Sequence, residues 1–76
     1  MSSLEKIVAE VLETSRDEIA DETGPATTGA WTSLRHVRII AALGREFDLR
    51  ITPREARSCR SVGDLRKLLA EKGRLA

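Results

Sequence analysis

Apolar residues recur along this chain at three- and four-residue intervals, and nowhere hold the alternation of two that marks a strand. Leu4, Ile7, Val8, Val11 and Leu12 form the first stripe. Ser2 followed by Glu5 reads as a capping box in front of it, so the spacing predicts a first helix from Ser3 to about Ser15. A second stripe, Leu34, Val37, Ile40, Ala41 and Phe47, widened by Leu43, predicts a helix opening at Thr32 or Ser33 and running to Phe47. Gly44 inside it costs about 1 kcal/mol relative to Ala. Thr52-Pro53-Arg54-Glu55 supplies an N-cap, a Pro at the first helical position and a Glu at the third, which predicts a short helix over Pro53 to Arg57. Ser61-Val62-Gly63-Asp64 is a further capping box, and Val62, Leu65, Leu68 and Leu69 predict a last helix that Gly73 stops.

Between the first two helices, Arg16 to Thr32 holds Gly24-Pro25, a Thr pair and Gly29, all turn chemistry. Ile19 and Trp31 are its evident anchors. A connection this long is unusual in a compact domain and is often functional. The link Asp48-Leu49-Arg50-Ile51 carries two apolar anchors of its own. The expected fold class is all-α: a small four-helix bundle of three main helices and one short one, with a long loop between helices 1 and 2.

Length and composition narrow the chemistry. With 76 residues, 41% apolar and 33% charged, a single globular domain over 1–76 is expected. One Cys and one His rule out an internal disulfide and Cys- or His-rich metal sites. No apolar run approaches a bilayer span, and the first residues lack a secretory pattern, so no membrane association and a cytoplasmic setting are expected. The net charge of +1 conceals a gradient. Residues 1–30 hold two cations against seven carboxylates, and residues 31–76 hold eleven against five. The sign changes at Trp31-Thr32-Ser33-Leu34.

That tetrapeptide is also where the long loop meets the second helix. A Ser at a helix N-terminus faces free backbone N–H groups and the positive end of the macrodipole, a setting that favours a phosphate. The same residue type is an ordinary cap, and spacing alone favours the cap. Three longer stretches give the motif its context: Ala42-Leu43-Gly44-Arg45-Glu46-Phe47-Asp48-Leu49-Arg50-Ile51, Thr52-Pro53-Arg54-Glu55-Ala56 and Ser61-Val62-Gly63-Asp64-Leu65. Together, from about Leu4 to Leu69, these features resemble the acyl carrier protein family. The resemblance implies a four-helix bundle without catalytic activity. It implies 4′-phosphopantetheine from coenzyme A on Ser33, with Thr32 and Leu34 as the flanking motif residues. The implied partners are a phosphopantetheinyl transferase and the enzymes that load, condense or transfer acyl or aminoacyl thioesters; a monomer is expected. Trp31 before the motif is similar to discrete carriers of polyketide and other secondary-metabolite pathways.

Two departures stand out. The family's Asp-Ser-Leu has Thr32 in place of Asp, which keeps capping capacity but removes a carboxylate beside the Ser. Modification is therefore expected to be slow or to require a dedicated transferase, and a carrier-fold interaction domain that is not modified is the alternative. The family's second helix is usually acidic, whereas this one carries Arg35, Arg38 and Arg45 against Glu46. These arginines, with Trp31, are the expected docking residues, and their partners are expected to be acidic.

Other readings carry less. His36, three residues after Ser33, has no orienting acid nearby and no nucleophile elbow, so a solvent-facing His is expected rather than a catalytic pair. In the resemblance Cys59 falls on a core position between the third and fourth helices, which implies a buried structural thiol, and Trp31 reads first as a staple that packs the loop. Nine Arg in the second half leave a small nucleic-acid-binding domain as a remoter alternative, but they are spread without a recognition helix or stacking aromatics.

Overall fold

The computed structural model describes residues 3–74. It contains four helices among them: α1 (Ser3–Leu12), α2 (Ser33–Glu46), α3 (Pro53–Ser58) and α4 (Val62–Glu71). A 3-10 turn at Arg16–Glu18 sits inside the α1–α2 connection, where the sequence suggested only loop. α1 packs against α2 and α4. None of the helices is long and apolar enough to cross a membrane.

The α1 stripe is the one the spacing predicts. Leu4, Ile7, Val8 and Leu12 are buried, Ala9 joins them, and Val11 packs at the margin. The expected Ser2 cap lies outside the described residues. α1 ends three residues earlier than expected because Glu13 turns into the left-handed region (φ 57°), and Thr14 N–H then bonds back to the Ala9 carbonyl.

α2 corrects the reading. Leu34 and Val37 are 62% and 63% exposed, and Ala41 also faces solvent. The buried residues are Ile39 and Leu43, with Ile40, Ala42 and Phe47 packed beside them. The inward face therefore runs His36, Ile39/Ile40, Leu43, Phe47. A polar His at its head disguised it, while Leu34, Val37 and Ala41 gave the opposite face an apolar look. Gly44 has a packing reason: a Cβ there would approach the Leu49 carbonyl oxygen to 3.2 Å, where the link folds back.

α3 opens with the predicted capping box. Thr52 Oγ1 accepts from Glu55 N–H (3.1 Å), and the Glu55 carboxylate accepts from Thr52 N–H (2.9 Å). The helix runs one residue longer than expected. At α4, Ser61 Oγ accepts from Asp64 N–H, but the Asp64 carboxylate takes the Arg60 N–H instead of closing the box on Ser61. Val62, Leu65, Leu68 and Leu69 are buried as predicted, and Gly73 (φ 73°) ends the helix.

The long connection is stitched to the bundle. Ile19 and Trp31 do anchor it. In addition, the carbonyls of Thr23 and Asp21 accept the first two α4 amides, Val62 N–H (2.9 Å) and Gly63 N–H (2.8 Å). Arg66 on α4 reaches both Glu5 on α1 (3.2 Å) and Asp21 in the loop (3.1 Å).

Candidate functional site

The N-terminus of α2 is built to stay open. Thr32 is its N-cap, and its side chain accepts from Arg35 N–H (3.2 Å), while its carbonyl accepts from His36 N–H (2.8 Å). The amides of Ser33 and Leu34 are left without an acceptor among the described residues, and so is the Ser33 hydroxyl. At α4 the equivalent amides are closed by the loop. Ser33 is thus an exposed hydroxyl beside two free donors at the positive end of a 14-residue helix.

Beside it lies a cleft of about 570 Å³. Pro25 and Ala26 of the loop form one wall, and Ser33, His36 and Val37 of α2 another. Arg57 at the end of α3, with Cys59 and Arg60 of the following link, completes it. Trp31 and Cys59 are buried at its floor. Burial pushes the Cys59 thiol above its ordinary value, with the Asp64 carboxylate adding to the shift. Cys59 is the structural thiol expected from its position.

The flanking residues divide. Trp31 is only 3% exposed, which corrects the expectation that it docks partners. Its role is the staple. Its Nε1–H donates to His36 Nδ1 (3.0 Å), and the two rings lie 6.0 Å apart between centroids. An indole N–H is a donor only, so Nδ1 must accept. The proton of the neutral imidazole then sits on Nε2, which donates to the Ala56 carbonyl of α3 (2.8 Å). The expectation of a solvent-facing His36 is therefore corrected. Its ring is part-buried, both nitrogens are engaged, and no hydrogen bond joins it to Ser33. The Trp31–His36 pair could have been anticipated: a buried indole N–H needs an acceptor, and His36 is the nearest side chain able to offer a ring nitrogen.

Arg35 is also engaged. Its guanidinium donates to the Ala30 carbonyl (3.2 Å) and pairs with Glu13 (3.2 Å), bracing the turn before Ser33. Arg38 and Arg45 are exposed and form no ion pair among the described residues. With Leu34, Val37 and Ala41 they make one solvent-facing strip of α2. The contribution of Arg57 and Arg60 to the cleft was not legible in the sequence, because nothing in their spacing brings them opposite Ser33.

No curated protein sequence matches the chain. Among solved structures, a candidate acyl carrier protein from Mycobacterium tuberculosis superposes with a TM-score of 0.82 at 26% identity, over 92% of this chain and 93% of that one. The family model described as "Phosphopantetheine attachment site" matches residues 2–69. With that match running from the start of α1 into α4, the chain belongs to the phosphopantetheine attachment-site family, the carrier domains that bear covalent 4′-phosphopantetheine.

Proposed function

We propose that Ser33 is the attachment residue, and that the protein carries acyl or aminoacyl thioesters in a polyketide or related secondary-metabolite pathway. The observation that carries this reading is the open α2 N-terminus: an exposed hydroxyl, two unsatisfied amides and an adjoining cleft. These features fit a phosphodiester-linked arm. The Ser33 and Leu34 amides would hold the phosphodiester oxygens, with the helix dipole favouring the negative charge. Thr32 keeps the first turn capped, and Arg35 braces it from Ala30 and Glu13. When bound, the group supplies a flexible arm and a thiol that holds cargo as an activated thioester. Tethering raises the effective concentration of that cargo at each partner's active site. The protein contributes position and recognition, with no catalytic step of its own.

The partners are a phosphopantetheinyl transferase and the loading and condensing or transferring enzymes of the pathway. Arg38 and Arg45, flanked by exposed Leu34 and Val37, suit partners with an acidic rim around an apolar contact. We take the chain to act as one monomeric domain.

Incubation with coenzyme A and a broad-specificity transferase, read by intact mass, tests the attachment. One arm adds to the natural protein and none to Ser33→Ala. Thr32→Asp restores a carboxylate beside the Ser and is modified faster. An absence of adduct, even with the pathway's own transferase, overturns the reading in favour of an unmodified interaction domain.

A further inference from the structure

We propose that His36 is a proton-sensitive positioning residue, a latch that sets the turn bearing Ser33. The consequence for Ser33 rests on the reading of that residue as the attachment site; the latch itself does not.

The geometry is a three-part chain. Trp31 ends the long connection, His36 lies in the first turns of α2, and Ala56 belongs to α3. The imidazole joins them, accepting from Trp31 Nε1–H at 3.0 Å and donating to the Ala56 carbonyl at 2.8 Å. Only the neutral ring with its proton on Nε2 can do both. A proton added from solvent at Nδ1 converts the acceptor to a donor aimed at another donor. The Trp31 bond is then lost and two N–H groups oppose each other.

No carboxylate pairs with the ring among the described residues. The groups that share the cleft with the ring are Arg57 from α3, and the Cys59 thiol and Arg60 from the following link. On α2, neighbouring Arg35 is already paired with Glu13 and the Ala30 carbonyl. On α3, Glu55 is held by Thr52 and Lys72 and does not line the cleft. Asp64 of α4, near enough to raise the Cys59 thiol, accepts from the Arg60 amide, and no carboxylate among the described residues lines the cleft. Protonation of the ring and the Trp31 hydrogen bond are therefore mutually exclusive.

The opening bears directly on the site. Thr32 and Ser33 lie between the two latched side chains in sequence, and Trp31 forms part of the cleft floor. With the indole released, the α2 start keeps only the Arg35 brace to Ala30 and Glu13, and the cleft widens between the loop and α3.

Trp31 is the only tryptophan, so its fluorescence reads the latch without interference. In the unmodified full chain, acrylamide quenching of Trp31 is expected to rise severalfold from pH 8 to pH 5, while far-UV circular dichroism stays constant. His36→Gln supplies an acceptor and a donor without titrating, and its quenching is expected to stay low and flat. The rate of Ser33 modification, taken as the ratio of natural protein to His36→Gln at each pH, is expected to fall as the latch opens. Because the ratio removes the transferase's own pH dependence, it isolates the positioning effect. Flat quenching in the natural protein, the same rise in His36→Gln, or a parallel loss of helix overturns the latch. A quenching rise with a constant modification ratio overturns the positioning role. Absence of any modification refutes the attachment reading and leaves the fluorescence result standing on its own.

Discussion

A methyl group on Gly24 would sit 2.1 Å from the Arg60 carbonyl oxygen and 3.0 Å from its carbon. Both are backbone atoms, so the contact cannot be relieved by turning a side chain. Gly24→Ala is therefore expected to destabilise the fold by about 2–3 kcal/mol, in the range of overpacking changes, measured by chemical denaturation. Gly29, with open space around it, is the control: Gly29→Ala leaves the midpoint nearly unchanged. The contrast lies in what each glycine meets. Gly24 lets the loop backbone lie against the α3–α4 link, and that approach places Pro25 and Ala26 along the cleft. Cys59, Trp31 and His36 then enclose the side opposite the solvent.

The short α3 shows how an element survives on its ends. It spans six residues and buries none of them fully, so its caps and its neighbours hold it. Glu55 is the main one. The Thr52 backbone N–H, and then Lys72 on the segment after α4, hold its carboxyl below the usual carboxylate value. A lowered folded pKa means that Glu55 contributes stability above its unfolded pKa and that this is lost as pH falls through the folded one. Glu55→Gln is expected to lower the melting temperature at neutral pH, where the charged carboxylate holds the Thr52 amide and Lys72, and to flatten the acid limb, so that the two proteins converge as pH falls below the ordinary carboxylate range. The caps of α2, α3 and α4 were legible because Ser and Thr before helical stripes have few other uses, and the α1 and α4 cores because their stripes are uninterrupted. α2 was misread because it has two candidate apolar faces, and hydrophobicity alone ranked the wrong one first. His36 carries the difference: a polar residue at the head of the inward face looks like a break until Trp31 and Ala56 supply its partners. Ser33 was legible from its place at a helix start, but the cleft beside it joins loop, helix and link residues whose meeting no local spacing encodes.

Across the whole molecule, the acidic first part and basic remainder are partly sewn together. Arg35 meets Glu13, and Arg66 meets Glu5 and Asp21. Arg38 and Arg45 stay outside this internal pairing, on the exposed strip of α2. Reversing both to Glu is expected to lower kcat/KM with an acidic loading partner by roughly tenfold or more, chiefly through association, and to lessen its dependence on salt. Thermal stability should hardly move, since neither guanidinium is paired; a large stability loss would refute the docking role. The stitching of the acidic loop to α4 has a kinetic side. The α4 amides of Val62 and Gly63 wait for the carbonyls of Thr23 and Asp21, some forty residues upstream, whereas the other backbone hydrogen bonds outside the helices join residues close in sequence. Closing such a span costs chain entropy before it returns any contact. The docking of loop on helix is thus a late event on the folding route, and the energy lost in Gly24→Ala should emerge as faster unfolding, with the refolding rate scarcely altered.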